Sequence, residues 1–337
     1  MRSWFRHLSW SHWRTRAPTA ARRAERAPVP PAPPPADPSP PPPRPATTVR
    51  TTFRHDGVER PYTLHTPAGM GTGAPRPLLV MLHGCQQSPD DFALGTRMSD
   101  EAERRGLVVA YPGQGSRENL ASCWNWFDAA HQQRGHGEVA WIAALTQHLV
   151  AGYPLDPRRL YLAGLSAGGA MALATAAAYP DLYAAVASHS GVPSGIADSL
   201  GSGLAAMRHG PRERLAGEAT IAPWPRVPTL AIHGDADTVV HPDNSLAIYR
   251  RTLDAFAADG LVEATRREPA SDGSRAHQRH VAHRADATAP VAELWLIEAA
   301  GHAWSGGDVA GSFVDAPGPN ASRAILDFLL QHERRDR

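Results

Sequence analysis

Short apolar runs alternate with longer helix-forming stretches along most of the chain. The apolar runs predict buried strands at 77–83, 107–111, 160–163, 184–188, 229–233 and 293–298. The stretches between them predict helices at 89–105, 138–150, 170–178, 244–258 and 319–331. A hairpin with Asp56-Gly57 at its turn is predicted ahead of the first buried strand, over 48–54 and 60–66. Because strands that alternate with helices form a parallel sheet covered on both faces, the pattern predicts an α/β fold with a mostly parallel central sheet.

Two segments interrupt this alternation. Residues 192–225 show no sustained periodicity, and we expect an irregular insertion there. Residues 263–290 are polar and rich in histidine and arginine, which favours a long surface excursion. We therefore expect three histidines of that segment to be solvated, namely His277, His280 and His283.

The first 46 residues differ in composition from the rest. Residues 27–45 are dominated by proline and predict a polyproline II spacer that cannot pack a core. Residues 1–26 are basic and intersperse arginines with large apolar side chains, among them Trp4, Phe5, Leu8, Trp10 and Trp13. We favour a disordered tail or a misassigned start over an anchor on a membrane or granule surface. The predicted organisation is a disordered basic and proline-rich tail over 1–46 and a catalytic domain over 47–333.

The charge, the apolar segments and the cysteine content of the chain limit which partners and cofactors we expect. The net charge is +1, which indicates no nucleic-acid partner, and no apolar run is long enough for a transmembrane helix. No uninterrupted apolar segment follows the N-terminal arginines, so we recognise no secretory signal peptide. The two cysteines, Cys85 and Cys123, form either one disulfide or two buried free thiols. Two cysteines do not make a metal site by themselves, and we expect neither a metal nor a cofactor.

Residues 160–170 carry the strongest chemical signal. The apolar run 160–163 is followed by Gly164-Leu165-Ser166-Ala167-Gly168 and then by a small-residue helix pattern. This G-x-S-x-G motif between strand and helix needs glycines because the turn is strained and closely packed. The alternative is a glycine-rich turn without chemistry. The context of strand and helix favours Ser166 as a nucleophile presented at the carboxyl end of a strand.

A serine nucleophile requires a base, and the base requires an acid that orients it. On this architecture the chain order is serine, acid, histidine. Asp235 and Asp237 both follow the strand 229–233, and we favour Asp237 as the acid and Asp235 as a turn residue. His302 follows the last predicted strand and is the expected base.

Acyl transfer also requires donors for a tetrahedral oxyanion. The backbone amide of Ala167, directly after the nucleophile, is one expected donor. The amide of Cys85, after the strand 77–83, is the other. Three tryptophans lie near these segments, namely Trp124, Trp126 and Trp304. They are candidate walls of a substrate groove, although burial in the core is the commoner role of tryptophan.

Five motifs in this order resemble the poly(3-hydroxybutyrate) depolymerase family of α/β-hydrolase esterases, which is related to feruloyl and acetylxylan esterases. The motifs are Leu82-His83-Gly84-Cys85-Gln86-Gln87, Ser122-Cys123-Trp124-Asn125-Trp126-Phe127, Gly164-Leu165-Ser166-Ala167-Gly168-Gly169, His233-Gly234-Asp235-Ala236-Asp237 and Gly301-His302-Ala303-Trp304. By resemblance, Ser166 is the nucleophile, Asp237 the acid and His302 the base. The resemblance also implies a bridge between Cys85 and Cys123, and tryptophans that line the groove.

The resemblance implies a serine esterase that hydrolyses polyhydroxyalkanoate polymer or oligomers through an acyl-enzyme. A feruloyl or acetylxylan esterase, a serine peptidase and a non-catalytic granule-coat protein are the alternatives. Secreted family members that degrade polymer have a signal peptide and a separate C-terminal module, and this sequence shows neither. We therefore weigh soluble oligomers, amorphous polyester and an unrelated ester equally with crystalline polymer as substrates. An extracellular or periplasmic location follows from the resemblance, and a cytoplasmic location stays open.

Overall fold

A computed structural model of the chain describes residues 45–211, 224–271 and 273–334. The predicted tail over 1–46, apart from its last two residues, lies outside the described residues, and so does the candidate anchor over 1–26. None of the described helices combines the length and the apolar character that crossing a membrane would require.

Among these residues, a ten-stranded sheet runs in the order β1-β2-β4-β3-β5-β6-β7-β10-β9-β8. Its strands are β1 (Thr47–His55), β2 (Val58–Thr66), β3 (Arg76–Leu82), β4 (Val108–Pro112), β5 (Leu155–Leu165), β6 (Ala185–His189), β7 (Thr229–Gly234), β8 (Leu261–Glu268), β9 (His277–Arg284) and β10 (Pro290–Ile297). The six central strands are mutually parallel, namely β4, β3, β5, β6, β7 and β10. The two outer strands at each edge pair antiparallel with their neighbours, namely β1 and β2 at one edge and β9 and β8 at the other. The predicted mostly parallel sheet is therefore confirmed.

Helices cover both faces of the sheet. Their bounds are α1 (Pro89–Thr96), α2 (Met98–Arg105), α3 (Gly137–Gly152), α4 (Ala167–Ala178), α5 (Leu200–His209), α6 (Asp243–Phe256) and α7 (Ala321–Leu329). Side chains of α3, α4 and α6 join one core cluster, and those of α1, α2 and α7 join the other. Strand β3 serves both clusters because successive side chains point to opposite faces: Leu78 and Val80 face the first, and Leu79 and Met81 face the second.

The hairpin at the start of the domain is also confirmed. Strands β1 and β2 pair from Thr47 opposite Thr66 to His55 opposite Val58. Asp56 and Gly57 at the turn both have positive φ, the conformation that a tight hairpin turn requires.

The helix predicted over 89–105 is two helices. Ser88 caps α1 by accepting a hydrogen bond from the Asp91 amide, as its position predicts. The helix ends at Arg97, whose φ of 51° is left-handed and whose amide closes the last turn on the carbonyls of Ala93 and Leu94. Helix α2 then begins at the next residue. The prediction of one continuous helix was wrong because the residue that adopts the left-handed conformation at the break is an arginine, and neither glycine nor proline occupies that position.

The expected surface excursion over 263–290 is instead mostly sheet. Strands β8 and β9 form an antiparallel pair that extends the sheet beyond β10. His277 is buried, and its ring stacks on that of Trp295 with centroids 4.3 Å apart, so the expectation that it is solvated was wrong. The irregular insertion over 192–225 contains α5, and residues 212–223 of it lie outside the described part.

Candidate active site

Ser166 occupies a sharp turn between β5 and α4. Its φ of 55° and ψ of −119° are strained for a residue with a side chain. A Cβ on Gly168 would overlap the carbonyl oxygen of Leu82, and a Cβ on Gly164 would overlap Gly168. Only glycine fits at these two positions, as the G-x-S-x-G motif predicts. The turn leaves the serine side chain partly exposed at the carboxyl edge of the sheet.

Three predicted side chains meet at this edge. Nε2 of His302 lies 2.9 Å from Oγ of Ser166, and Nδ1 of His302 lies 2.7 Å from Oδ2 of Asp237. Asp237 follows β7 and His302 follows β10, so two parallel strands deliver the acid and the base. Asp235 instead accepts a hydrogen bond from the amide of Ala299 at 2.7 Å, the kind of contact expected of a turn residue.

The carboxylate of Asp237 is enclosed and fully hydrogen-bonded. Its Oδ1 accepts from the amides of Val239 at 2.8 Å and Val240 at 2.9 Å, and its Oδ2 faces His302 and His233. Burial alone would raise the pKa of Asp237, but the hydrogen bonds from the two histidines outweigh burial and lower it. The carboxylate therefore stays ionised and can stabilise a positive charge on the neighbouring imidazole.

The loop after β3 lies against the nucleophile. A Cβ built on Gly84 would be 3.6 Å from Cβ of Ser166. Within the described part of the chain, the amides of Cys85 and Ala167 donate to no other group. Within the described residues, the two predicted oxyanion donors thus have no other acceptor; one directly follows Ser166 and the other directly follows Gly84. Ala167 also begins α4, whose amino end favours negative charge.

Two polar side chains of the Leu82–Gln87 motif, for which the sequence predicted no specific contacts, hold this loop. Gln87 accepts from the Gly84 amide at 2.9 Å, and its own amide donates to the carbonyl of Ser312 at 3.1 Å. Nε2 of His83 accepts from the amide of Gln114 at 3.0 Å, which fixes the imidazole as a neutral acceptor. Burial lowers the pKa of His83 to about 4, in agreement with that role.

A buried carboxylate supports the neighbouring segment. Glu138 is fully enclosed and accepts from the side-chain amide of Gln114 and from the backbone amide of Asn125 at 2.7 Å. Arg60, also buried, lies 3.5 Å from the carboxylate. No sequence motif marks this cluster, because its members lie far apart along the chain and meet only in the fold.

Cys85 and Cys123 form a disulfide with their Cα atoms 4.2 Å apart. The bridge ties the loop that carries one candidate oxyanion donor to the polar segment before α3. The amide of Gln86 reinforces the link by donating to the carbonyl of Ala121 at 2.8 Å. The bridge implied by the family resemblance is thus present in the structure.

Removing the bridge should destabilise the fold. The Cys85→Ala/Cys123→Ala variant is expected to lose about 4 kcal/mol of unfolding free energy, the entropic value of closing a loop of this length. Urea denaturation followed by circular dichroism measures the difference. The wild type in reductant should match the variant, and the variant itself should not respond to reductant. Equal unfolding free energies for oxidised wild type and variant would contradict the expectation.

The three candidate groove tryptophans lie in the interior. Trp124 and Trp304 are 0% and 1% exposed, and Trp126 is 7% exposed beside Phe127. Trp304 packs edge-on against Phe92 and donates from its indole to Ser322. These rings offer substrate almost no free surface, which favours the core role given as the alternative in the sequence analysis over the role of groove walls.

A serine on a strained turn after a central parallel strand, with an acid and a histidine from later strand ends, defines the α/β-hydrolase class. The described part of the chain contains no group of three or more histidine, cysteine, aspartate or glutamate side chains that could hold a metal ion. The profile of the family described as Esterase PHB depolymerase matches residues 60–278. The chain belongs to this family.

Individual proteins that are similar to this chain are named as esterases or depolymerases. The chain is similar to poly(3-hydroxyalkanoate) depolymerase C of Paucimonas lemoignei, with 31% identity over 247 residues, 71% of this chain and 57% of the relative. It is 35% identical over 116 residues to feruloyl esterase B of Neurospora crassa, 34% of this chain and 39% of the relative. The chain thus spans less than two thirds of either relative. Its fold is similar to that of an acetyl xylan esterase from Aspergillus awamori, with a TM-score of 0.61, 18% identity, and coverage of 76% of this chain and 94% of that one.

Proposed function

We propose that the protein is a serine carboxylic-ester hydrolase and that residues 47–333 form its catalytic domain. The observation that carries the proposal is the hydrogen-bonded series from Ser166 through His302 to Asp237, set on a strained turn beside two free amides. This arrangement suits attack on a carbonyl carbon, because His302 can activate the Ser166 hydroxyl and the two amides can donate hydrogen bonds to the negative charge that develops on the carbonyl oxygen.

In the proposed reaction, Oγ of Ser166 attacks the ester carbonyl while Nε2 of His302 takes the hydroxyl proton. The amides of Cys85 and Ala167 hold the resulting oxyanion. The tetrahedral intermediate then collapses, the bond to the alcohol breaks, and His302 returns its proton to the leaving oxygen. Water, deprotonated by His302, attacks the acyl-enzyme, and collapse of the second intermediate releases the carboxylic acid and restores Ser166. Asp237 orients His302 and stabilises its positive charge throughout.

The proposed substrate is the ester bond of a polyhydroxyalkanoate, such as a 3-hydroxybutyrate polymer or oligomer. Support comes from the family and from the name of the Paucimonas lemoignei relative. A feruloyl or acetylxylan-type esterase is the second candidate, supported by the names of the feruloyl esterase relative and of an acetylxylan esterase relative that is 31% identical over 122 residues. Both candidates require the same three side chains.

We propose an extracellular or periplasmic location, because disulfides form and persist in oxidising compartments. The disulfide between Cys85 and Cys123 supports this proposal. A role for residues 1–26 in binding a granule or membrane surface is proposed from their mixture of tryptophans and arginines alone.

A substrate panel tests the proposed function. Purified protein is incubated with 3-hydroxybutyrate oligomers, methyl ferulate, acetylated xylan and a peptide anilide, and the released acid or amine is quantified. We expect the oligomers to give the highest kcat/KM, and the Ser166→Ala variant is the blank. No turnover of any ester would overturn the esterase proposal, and preference for ferulate or acetylxylan would overturn the proposed substrate.

A separate binding experiment tests the proposed role of residues 1–26. If the full chain and a chain that starts at Thr47 partition equally onto amorphous polyester granules, the proposed anchor is overturned.

A further inference from the structure

A second histidine faces the carboxylate of the candidate acid. His233 is the penultimate residue of β7 and is completely buried. Its Nε2 lies 3.2 Å from Oδ2 of Asp237 and 2.8 Å from the carbonyl oxygen of Val240. Oδ2 of Asp237 is the same oxygen that His302 contacts at 2.7 Å.

The partners of the His233 ring determine which ring nitrogen donates a hydrogen bond. The carbonyl oxygen of Val240 only accepts, so Nε2 of His233 must carry a hydrogen, and the same nitrogen lies 3.2 Å from Oδ2 of Asp237. Nδ1 lies 2.6 Å from Oγ of Ser245, a completely buried hydroxyl on α6. In the neutral ring Nδ1 accepts, and the Ser245 hydroxyl donates to it. The Ser245 hydroxyl thus holds His233 in the tautomer that donates toward the carboxylate.

We propose that His233 is a positioning residue for the reaction, acting through Asp237, and that Ser245 fixes its tautomer. The two backbone amides hold only Oδ1 of Asp237, so the His233 donor and His302 together determine where Oδ2 lies. The proposed series then runs from Ser245 through His233, Asp237 and His302 to Ser166. This inference rests on the proposed esterase function of the same site.

A neighbouring histidine shows that burial near the acid does not by itself create this contact. His189 is also buried at a strand end, but its Nε2 accepts from the amide of Ser305 at 3.2 Å. Its Nδ1 lies 3.2 Å from the hydroxyl of Ser190, so neither ring nitrogen of His189 donates to Asp237. Among the described histidines, His233 and His302 alone lie within 4 Å of the Asp237 carboxylate.

Two substitutions of His233 separate positioning from packing. His233→Leu fills the space without a donor, whereas His233→Gln can place an amide N–H near the position of Nε2. We expect the leucine variant to lose about 10- to 100-fold in kcat, the range that one hydrogen bond to a charged group is worth, with little change in KM. The glutamine variant should recover most of that loss. The assay is hydrolysis of p-nitrophenyl butyrate, with active enzyme counted by end-point titration with a fluorophosphonate.

His332→Leu is the matched control. His332 is a buried histidine whose side chain contacts no member of the candidate triad, so its variant should keep the wild-type kcat. If His233→Leu does not fold, Ser245→Ala replaces it as the test variant. We expect Ser245→Ala to lower kcat by about three- to tenfold at unchanged KM. This loss is smaller than the loss expected for His233→Leu, because Ser245 acts on Asp237 only through His233.

The inference is overturned if His233→Leu folds and keeps the wild-type kcat, or if His233→Gln folds and loses as much as the leucine variant. It is also overturned if Ser245→Ala, tested in its place, keeps the wild-type kcat. These results would leave the esterase proposal standing, because the wild type would still turn over. A wild type that neither hydrolyses esters nor reacts with the fluorophosphonate would overturn the proposed function and this inference together.

Discussion

Replacing Ser166 by alanine should reduce hydrolysis of p-nitrophenyl butyrate to a trace, with kcat falling by about a million-fold, as is found when a serine nucleophile is removed. Without Oγ no acyl-enzyme forms, and His302 has no hydroxyl to deprotonate. The free amides of Cys85 and Ala167 can still hold a carbonyl oxygen, so a trace of activity above that of water is expected to remain. Initial rates at high protein concentration measure the loss, together with fluorophosphonate labelling, which should disappear.

The control for this variant is Ser99→Ala. It also removes one hydroxyl with a hydrogen-bond partner, since Ser99 contacts the hydroxyl of Tyr111 at 2.8 Å, but it contacts no member of the candidate triad. It should keep wild-type kcat and labelling. Substantial turnover by a folded Ser166→Ala variant would contradict the assignment of the nucleophile.

Replacing Asp237 by asparagine should lower kcat by about ten-thousand-fold while the fold survives. The amide group can still accept from the backbone amides of Val239 and Val240 through its oxygen. Its NH2 group would then face Nδ1 of His302, where an acceptor is needed. His302 would adopt the opposite tautomer, place a hydrogen on Nε2, and lose the ability to deprotonate Ser166. Steady-state kinetics on p-nitrophenyl butyrate measure the effect.

Asp235→Asn is the matched control for this prediction. Asp235 lies two residues earlier and bonds the Ala299 amide through Oδ1, a contact that an asparagine oxygen can also make. Its kcat should stay within about threefold of the wild type, as for a surface substitution. If Asp235→Asn were the inactive variant and Asp237→Asn the active one, the acid would be misassigned.

The central sheet and the candidate triad were predictable because their signals are local. A buried parallel strand is a continuous apolar run, as in β3 after its first residue and in residues 160–163 of β5. The glycines around Ser166 mark a turn that admits no other residue at those positions. The order of acid and histidine follows from the order of the strands. Hence Asp237 and His302 could be predicted from strand ends alone, without knowledge of any contact between them.

The elements that were not predicted lack such signals. Strand β8 is exposed along most of its length, so its side chains show no alternation between apolar and polar. Helix α1 ends at Arg97 without glycine or proline. The burial of Trp124 and Trp304 depends on partners that are distant in sequence, and so does the contact between Gln87 and Ser312. These features depend on the assembled tertiary structure.

Buried neutral histidines couple the stability of this fold to acidity. Burial lowers the pKa of His83 to about 4, of His189 to about 3 and of His332 to about 4, all below the usual value of about 6.5. Between pH 6.5 and these values the unfolded chain binds protons that the folded chain does not. The free energy of unfolding therefore falls as pH falls through this window and is fully retained above it. Each ester bond that is hydrolysed releases a carboxylic acid, so an esterase built in this way lowers its own stability wherever its surroundings are poorly buffered.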